Sequence, residues 1–547
     1  MFRRFALLLI APLIAGAVVQ PAPVVTAVQN AASNLVAGLP ASGIAQGSIF
    51  TVYGTNMGPA SPCFASTVPY STGPLCGVSL TVTVNGTSSF PIPTFVYPTQ
   101  INAILPSLTP TGSGTITVTY NSQTSATIPI QVVTAAFGEF TPSGYGFGQA
   151  SVTDVNYSLN TIVHTLHPGD IGILWGTGLG PISGSDATSP TTFPNIGTPT
   201  VYVGTTAETS TATGLLYAGR SGTWPGLDQI NFTVPQGVEG CYVPIAVEAG
   251  GVVGSIATIA VAPAGQNTCS DSVMGQTLVN KLASGGNANF GYIRLQSQDY
   301  IVAGSAVDAA HGSGDYAWAS FSGYTPQTAY WAYYGVSSGY CSANQDYFPD
   351  DFSIANLDAG AALTLSGPLV GPLVAQEYPG SGQYYAFLAN SGKFLFSREN
   401  YAMIGTGGAN VSSFTAKDVS SLPGVQLTAI AGKTFPRSSD LTVQWTGGDP
   451  TLQNGQVTIA GYSVDQTETL AMYFECVAPL AAGKFTIPSW VLSTMPASGS
   501  VTEGSYTIPL GALEIGQYNN PTTFTAPGLD LGIMTDIFAQ GAAVYFN

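Results

Sequence analysis

The sequence predicts an all-β protein made of successive β-sandwiches, and three observations carry this prediction. Short runs rich in β-branched and aromatic residues recur along the chain, separated by Gly, Pro and Asn-Gly turn signals. No segment sustains the 3.6-residue apolar period of an amphipathic helix. A motif of thirteen residues occurs twice, more than a hundred residues apart, which indicates that a whole domain is duplicated.

The first strand of each copy is the clearest element. Residues Ile49–Tyr53 and Ile171–Trp175 are rich in β-branched and aromatic types, and glycines follow each run. Downstream, Ser79–Phe90 alternates apolar and polar residues and contains Asn85-Gly86, a dipeptide typical of a two-residue hairpin turn. Similar alternating runs follow in both copies. Such short strands with frequent turns predict sandwiches.

Two pairs of matching segments define the duplication. The stretch GSIFTVYGTNMGP at 47–59 aligns with GDIGILWGTGLGP at 169–181, and YPTQINAILP at 97–106 aligns with GLDQINFTVP at 226–235. The second pair is offset by seven residues more than the first, so we expect an insertion near 218–224. A period of this length is the size of a domain.

Each copy contains a Gln-Ile-Asn triplet, at 100–102 and at 229–231. We expect the isoleucine of each triplet to pack inward, and the Gln and Asn side chains to satisfy backbone groups at a loop. A ligand site is the alternative. The duplication predicts two tandem domains, over residues 18–142 and 143–264.

These motifs resemble a known family. The stretch at 47–59 is similar to the opening strand and loop of TIG/IPT-type immunoglobulin-like domains. The paired pattern over about 22–263 resembles the tandem region of uncharacterised secreted acidobacterial proteins, although here a long β-rich region follows it. The resemblance implies tandem immunoglobulin-like β-sandwiches and an extracellular setting. It implies no catalytic residues, because the family has no established activity.

The first residues have the features of an export signal. Met1–Arg4 is short and basic, Phe5–Val19 is an apolar run too short to span a bilayer comfortably, and Ala15–Ala17 offers a small-residue cleavage site. We expect residues 1–17 to be a signal peptide, with an uncleaved anchor as the alternative. No later run is long and apolar enough to predict a transmembrane helix, so we expect a secreted or cell-surface protein.

The chain of 547 residues has few charges, and most of them are acidic. Only 7% of residues are charged, and 11 Lys and Arg against 28 Asp and Glu give a formal charge of −17. So few cations cannot neutralise a run of phosphates, which argues against a nucleic-acid partner. An anionic membrane surface would repel the chain. Its polar, weakly charged surface instead suits another protein, a second copy or an extracellular glycan.

Six cysteines, an even number, predict disulfides in an exported protein. They are Cys63, Cys76, Cys241, Cys269, Cys341 and Cys476. Sequence alone leaves all 15 pairings open. The simplest pairing joins neighbours along the chain, as Cys63–Cys76, Cys241–Cys269 and Cys341–Cys476. Metal ligation is the alternative, although no Cys-x2-Cys spacing occurs.

The region 270–547 continues the pattern of short apolar runs and turns. We expect a further β-sandwich-type region, either one large sandwich or two smaller ones with a break near 417–424. One helical turn is expected at Ser489–Thr494. The predicted fold class is therefore tandem immunoglobulin-like β-sandwiches followed by this C-terminal region.

Candidate binding residues lie in the same region. Aromatic residues crowd the segment 316–340, and the candidates are Tyr316, Trp318, Tyr330, Trp331, Tyr333 and Tyr334. Exposed rings would suit stacking on sugars or self-association, whereas the alternative is a well-filled core. The carboxylates Asp346, Asp350 and Asp351 are candidates for Ca²⁺, and the alternative is a solvated acidic loop. We expect no other cofactor.

The sequence contains no recognisable catalytic constellation. His164 and His167 precede a Pro-Gly turn and a strand, so their rings need not converge on a metal. Residues 335–339 match G-x-S-x-G, but the residues after them do not begin a helix. We expect a secreted, non-enzymatic structural, adhesive or binding component of the cell surface or extracellular matrix, with self-assembly as an option. The alternative is a carbohydrate-binding or carbohydrate-active protein with its site in the C-terminal half.

Overall fold

The structure is a computed structural model and is nearly all β. It describes residues 21–269, 275–301, 314–326, 335–345, 355–368, 373–378, 380–387, 395, 399–419, 424–427, 430, 432–449, 452, 455–504, 506–518 and 521–547. The predicted signal peptide at 1–17 lies outside the described residues. The all-β fold class is confirmed.

The first sandwich packs two sheets around one core. Its strands are β1 (Val24–Asn30), β2 (Ile44–Ala45), β3 (Ile49–Thr55), β4 (Cys63–Phe64), β5 (Ser79–Val84), β6 (Thr87–Ser89), β7 (Ile92–Val96), β8 (Gln100–Ile104), β9 (Gly112–Tyr120), β10 (Gln123–Thr124) and β11 (Ile128–Val133). One sheet has the order β1-β3-β8-β7-β4 and the other β2-β11-β9-β5-β6, with β10 paired to β9. The turn between β5 and β6 is the predicted Asn85-Gly86, with positive φ at both residues.

The second sandwich repeats this strand order. Its strands are β12 (Gly138–Glu139), β13 (Gly148–Gln149), β14 (Val152–Thr153), β15 (Ile171–Thr177), β16 (Thr200–Val203), β17 (Thr206–Glu208), β18 (Leu215–Arg220), β19 (Asp228–Thr233), β20 (Gly240–Ala249) and β21 (Val252–Val261). The sheets have the orders β12-β15-β19-β18, with β14 on β15, and β13-β21-β20-β16-β17. In both sandwiches a two-residue strand pairs in parallel with the last strand, as β2 with β11 and β13 with β21. The tandem immunoglobulin-like fold is thus confirmed.

Equivalent residues of the two copies have equivalent neighbours. Tyr53 lies opposite Gln100 in the ladder between β3 and β8, and Trp175 lies opposite Gln229 in the ladder between β15 and β19. The two aromatic residues of the repeated motif therefore occupy the same place in two sheets of the same order.

The Gln-Ile-Asn triplets also match, but they differ from the expectation. Gln100 Nε2 donates to Asn102 Oδ1 at 2.9 Å, and Gln229 Nε2 donates to Asn231 Oδ1 at 2.8 Å. Both pairs lie along strands, where Gln and Asn share one face at a spacing of two residues. The side chains thus bond to each other rather than to backbone groups at a loop, while the isoleucine between them is fully buried, as predicted.

The insertion in the second copy lengthens the hairpin of β18 and β19. Beyond the pair Ala218–Ile230, which corresponds to a pair in the first sandwich, the two strands continue to Arg220 opposite Asp228. These two side chains form a buried ion pair. Arg220 Nη2 also donates to the carbonyl of Gly47 in the first sandwich at 2.7 Å. The inserted residues therefore join the two sandwiches.

The same junction uses the repeated motif of the second copy. Asp228 Oδ2 accepts the backbone N–H groups of Gly178 at 2.7 Å and Leu179 at 2.8 Å. Thr177 Oγ1 accepts the backbone N–H of Ile49 at 2.8 Å. Hydrogen bonds from both sandwiches therefore converge on this loop and fix how they meet.

The C-terminal region is built on one long sheet. Its strands are β22 (Ala288–Ile301), β23 (Gly314–Tyr324), β24 (Cys341–Gln345), β25 (Ala355–Asn356), β26 (Ala362–Ser366), β27 (Leu373–Tyr378), β28 (Gln383–Phe387), β29 (Asn400–Gly405), β30 (Phe414–Val419), β31 (Val425–Leu427), β32 (Thr434–Phe435), β33 (Leu441–Gly447), β34 (Gln456–Val464), β35 (Ala471–Pro479), β36 (Lys484–Ile487), β37 (Ser500–Glu503), β38 (Tyr506–Pro509), β39 (Gly511–Tyr518), β40 (Thr522–Phe524) and β41 (Leu531–Phe546). Its helices are α1 (Gly275–Ala283), a 3-10 turn (Leu480–Ala482) and α2 (Ser489–Leu492), where one turn is predicted. The long sheet has the order β24-β35-β34-β39-β41-β22-β23-β28-β27-β26-β29-β30.

Strands from both sides of 417–424 belong to this sheet. The parallel pairing of β22 with β41 runs over twelve residue pairs and joins the part of the chain before 419 to the part after 425. One face of the sheet buries two apolar cores, one around Phe321 and Tyr384 and the other around Phe474 and Ile515. The domain limits themselves stay predictions.

The three disulfides join neighbours along the chain. They are Cys63–Cys76, Cys241–Cys269 and Cys341–Cys476, the simplest of the open pairings. The first lies within the first sandwich. The second ties the second sandwich to the segment before α1, and the third bridges β24 and β35 at directly opposite positions.

The C-terminal region also packs directly on both sandwiches. Leu35 of the first sandwich and Ala246 of the second belong to the core that surrounds Phe474. Tyr202 of the second sandwich stacks on Trp490 of α2 with ring centres 4.9 Å apart. Residues of all three parts therefore contribute to this one core.

Candidate functional site

The second face of the long sheet carries the candidate site. Side chains alternate between the two faces of a strand, so residues between the buried ones of β22, β23, β35 and β39 share the face opposite the cores around Phe321 and Phe474. At one end of this face, Phe290 and Tyr292 pack in a smaller apolar core with Cys241 and Leu278. We call this face the polar face, and its half-buried side chains are Tyr292, Arg294, Gln298, Tyr316, Trp318, Tyr473, Glu475, Glu514 and Tyr518. It combines aromatic rings with hydrogen-bonding and charged groups.

Arg294 lies among the aromatic residues of this face. Its guanidinium carbon is 5.8 Å from the ring centre of Trp318 and 6.0 Å from that of Tyr316, within the range of cation–π attraction. Tyr292 meets Trp318 edge-on, with ring centres 5.6 Å apart. Burial lowers the pKa of Arg294, but the neighbouring tyrosines, foremost Tyr518, raise it by more. The guanidinium is therefore a permanent cation held between rings.

Two glutamates lie on the same face. Glu475 on β35 and Glu514 on β39 both pair with Ala460 of the intervening strand β34, so their Cα atoms are two strand spacings apart, about 10 Å. Glu475 Oε2 accepts the Tyr473 hydroxyl at 3.0 Å, and Glu514 accepts the Gln298 amide. Burial raises the pKa of both carboxyls, that of Glu514 to about 7. Near neutral pH the polar face thus carries less negative charge than two ordinary carboxylates would give it.

A cavity of about 220 Å³ opens beside Glu475. Gly148 and Thr258 of the second sandwich line one side, and Asn344, Tyr473 and Glu475 of the long sheet line another. The cavity therefore lies between the second sandwich and the C-terminal region, a kind of position where ligand sites are frequent. It is far larger than a single water needs.

The buried polar atoms at this face that have no hydrogen-bond partner among the described residues include Asn344 Oδ1, in the cavity wall, and Arg294 Nε. Most buried polar groups in proteins are hydrogen-bonded, because leaving one unpaired costs about 1–3 kcal/mol. Together they offer one acceptor and one donor to a bound molecule.

The sequence-predicted binding residues fall into three groups. Tyr316 and Trp318 lie on the polar face and are half-buried. Tyr340 of the same aromatic segment packs into the core of the second sandwich instead. The remaining candidates, Tyr330, Trp331, Tyr333 and Tyr334 for binding and Asp346, Asp350 and Asp351 for Ca²⁺, lie outside the described residues.

The histidines and the G-x-S-x-G serine have separate partners. His164 faces Asp154 at 3.3 Å, and His167 faces Asp170 at 3.0 Å, so the two rings do not share a site. Ser337 Oγ accepts a backbone N–H of the second sandwich at 3.0 Å, and the strand β24 follows. In the part of the chain that the structure describes, no three His, Cys, Asp or Glu residues group as a metal site.

Sequence reasoning misses Arg294, Glu475 and Glu514. Each is a charged residue in the middle of an alternating strand, and Arg294 and Glu475 each follow a tyrosine two residues earlier on the same face, Tyr292 and Tyr473. In a chain with only 7% charged residues, such a position is a usable signal. What the sequence does not provide is the order of the strands, which brings β35, β39 and β22 to one face.

Comparison with known proteins identifies no family. No family model matches the chain, and no curated protein matches it. Similar solved structures include domains 5–6 of the S-layer protein SbsC, with 14% identity over 44% of this chain and 99% of that chain and a TM-score of 0.15. Domains 4–9 of SbsC have 10% identity over 93% of this chain and 83% of that chain, with a TM-score of 0.16. Three N-terminal domains of the bacteriophage RB49 highly immunogenic outer capsid protein have 8% identity over 71% of this chain and 98% of that chain, with a TM-score of 0.13.

These TM-scores are too low for an argument about function. The strand orders themselves define the class: a modular, disulfide-bonded β protein with two tandem immunoglobulin-like sandwiches and a larger C-terminal β region. Among the described residues, no helix has the length and apolar character needed to cross a membrane.

Proposed function

We propose that this is a secreted, non-enzymatic structural protein of the cell surface or extracellular matrix. In this proposal the two TIG/IPT-type sandwiches hold the C-terminal region in one fixed position. The observation that carries it is the core around Phe474, to which residues of both sandwiches contribute. Flexibly linked modules would not share a core.

The junction between the two sandwiches supports the same proposal. Its centre is the ion pair of Arg220 and Asp228, whose side chains are 3% and 0% exposed. Close to this pair, Ser107 Oγ of the first sandwich donates to Asp186 Oδ1 of the second at 2.7 Å. Because these contacts are directional, they set an angle between the sandwiches, as a load-carrying or spacing protein requires.

Export and self-association complete the proposal. Three disulfides suit an oxidising compartment, as does the signal-like segment at 1–17. With 7% charged residues, little charge repulsion opposes contact between copies. We propose that copies associate side by side or end to end at the surface.

Expression of the full chain in a bacterial host that exports proteins tests this role. We expect the protein outside the cytoplasm, beginning near Val18 by mass spectrometry and without free thiols. Small-angle scattering should give one rigid particle, and electron microscopy at high concentration should show ordered assemblies. A chain that stays strictly monomeric under these conditions contradicts self-association, and a flexible scattering profile contradicts the rigid spacer.

A further inference from the structure

We propose that the polar face binds a neutral oligosaccharide, with one sugar unit in the cavity between the second sandwich and the long sheet. This goes beyond the structural role, since a rigid spacer needs no ligand site. The proposal assigns the aromatic rings to stacking and the Arg294, Glu475, Glu514 and Asn344 side chains to hydrogen bonds with hydroxyl groups.

The aromatic residues are arranged for stacking. Tyr473, Tyr518 and Trp318 are half-buried, so each keeps part of its surface exposed while its neighbours fix its orientation. Rings held in this way present apolar faces at little conformational cost, and the C–H faces of sugar rings are suited to pack on them. Alternating burial along β23, β35 and β39 keeps these rings on one side of the sheet.

The extent of the face calls for several linked sugar rings. From Tyr473 on β35 to Trp318 on β23 the sheet order gives five strand spacings, about 24 Å. A single monosaccharide would cover only a small part of that distance. The cavity beside Tyr473 would take the unit at one end of the chain.

The charges of this face favour a ligand without net charge. Arg294 is one cation, and Glu475 and Glu514 are carboxyls that already accept bonds from Tyr473 and Gln298. A phosphate or sulfate would meet both carboxyls, and a cation would meet the guanidinium. Hydroxyl groups both donate and accept, so they can bond to carboxylates, to Arg294 Nε and to Asn344 Oδ1 alike.

Calorimetric titration of the folded, disulfide-bonded protein tests the proposal. The probes are cellohexaose, xylohexaose, maltohexaose and chitohexaose, with a heparin hexasaccharide as the charged comparison. We expect at least one neutral probe to bind, accompanied by a change in tryptophan fluorescence, and the heparin probe not to bind. Absence of binding by all four neutral probes at millimolar concentration overturns the proposal, as does binding of the heparin probe alone.

Variants locate the binding on this face. We expect Trp318→Ala and Glu514→Gln each to lower the affinity for the neutral probe that binds by at least tenfold. Trp224, in the second sandwich, is 51% exposed and lies outside the polar face. Trp224→Ala is therefore the matched control, and it should bind the probe as the unchanged protein does. Thermal unfolding of each variant separates loss of the site from loss of the fold. If a folded Trp318→Ala protein binds unchanged, the assignment of this face is wrong.

Discussion

Arg220 and Asp228 form a buried ion pair that the second sandwich has and the first sandwich lacks. The inserted residues of the β18–β19 hairpin place the two side chains opposite each other. Arg220 then reaches the carbonyls of Gly47 and Gly180, while Asp228 accepts two backbone N–H groups of the motif loop. A short insertion thus gives the second copy of the duplicated domain the side chains that bind the first copy.

Removing one partner of this pair should be costly. Arg220→Met leaves Asp228 buried without its cation, and we expect the free energy of unfolding to fall by about 3–5 kcal/mol. The exposed pair of Lys281 and Asp530 is the control, because Lys281→Ala should cost less than about 1 kcal/mol. Urea unfolding measures both. Equal losses for the two variants would contradict the role given to the buried pair.

Much of the duplicated fold follows from local signals. The alternating strands, the Asn85-Gly86 turn and the burial of Ile101 and Ile230 are predicted because each depends on neighbours along the chain. The Gln–Asn contacts are not predicted. From the sequence we expect the Gln and Asn of each triplet at a loop, whereas they lie on a strand, where residues two apart face the same way. The two carbonyls that Arg220 reaches, those of Gly180 and Gly47, lie 40 and 173 residues away, and no local pattern indicates such contacts.

The glycines near the ends of β3 and β15, the strands of the repeated motif, should not tolerate a side chain. A Cβ at Gly54 would lie 2.0 Å from the carbonyl oxygen of Val24, and one at Gly176 would lie 2.4 Å from that of Gly138. We expect Gly54→Ala and Gly176→Ala each to lower the free energy of unfolding by about 2–3 kcal/mol.

A third glycine provides the matched control. A Cβ at Gly73 would have only the Ser71 hydroxyl nearby, at 3.6 Å, so Gly73→Ala should be neutral or slightly stabilising. Denaturant midpoints of the three variants test the comparison. Wild-type midpoints for the two motif variants would show that these glycines are not packed as described.

The C-terminal site could be predicted only in part. Tyr316 and Trp318 are found by their aromatic crowding, and both do lie on the polar face. Arg294, Glu475 and Glu514 join them only because β22 pairs in parallel with β41, more than two hundred residues away. Parallel pairing at such separation leaves no turn signal in the sequence, since the turn chemistry that marks a hairpin is absent.

The disulfides should differ in their contributions to stability. Cys341–Cys476 closes a loop with a sequence separation of 135, and Cys63–Cys76 one of 13. By the chain-entropy relation, replacing both Cys341 and Cys476 by alanine should lower the free energy of unfolding by about 5 kcal/mol. Replacing both Cys63 and Cys76 should lower it by about 3 kcal/mol. Denaturant unfolding of the two double variants measures the difference. A larger loss at Cys63–Cys76 would contradict this order.

The ring stack of Tyr202 and Trp490 should couple the second sandwich to the C-terminal region. Trp490 is 8% exposed and lies nearly parallel to Tyr202. We expect Trp490→Ala to lower the free energy of unfolding by about 3–5 kcal/mol and to increase proteolysis between the two parts. Trp224→Ala removes an exposed ring of the same type and should do neither. If both variants are cleaved as slowly as the unchanged protein, the stack does not hold the interface.

The buried Glu139 should make stability depend on pH. It is fully buried on β12, its Oε2 accepts the Ser255 hydroxyl, and burial raises its pKa from 4.5 to about 8. Because the folded protein then holds the proton more tightly than the unfolded chain, the free energy of unfolding falls as pH rises from about 4.5 to about 8. Glu139→Gln keeps an acceptor for Ser255 and cannot ionise. We expect this variant to match the unchanged protein near pH 4.5 and to exceed it by about 4 kcal/mol at pH 8, because each pKa unit of the shift corresponds to about 1.4 kcal/mol. Urea unfolding across this range measures the gap between the two curves, and a gap that stays constant with pH would mean that Glu139 does not change its protonation on unfolding.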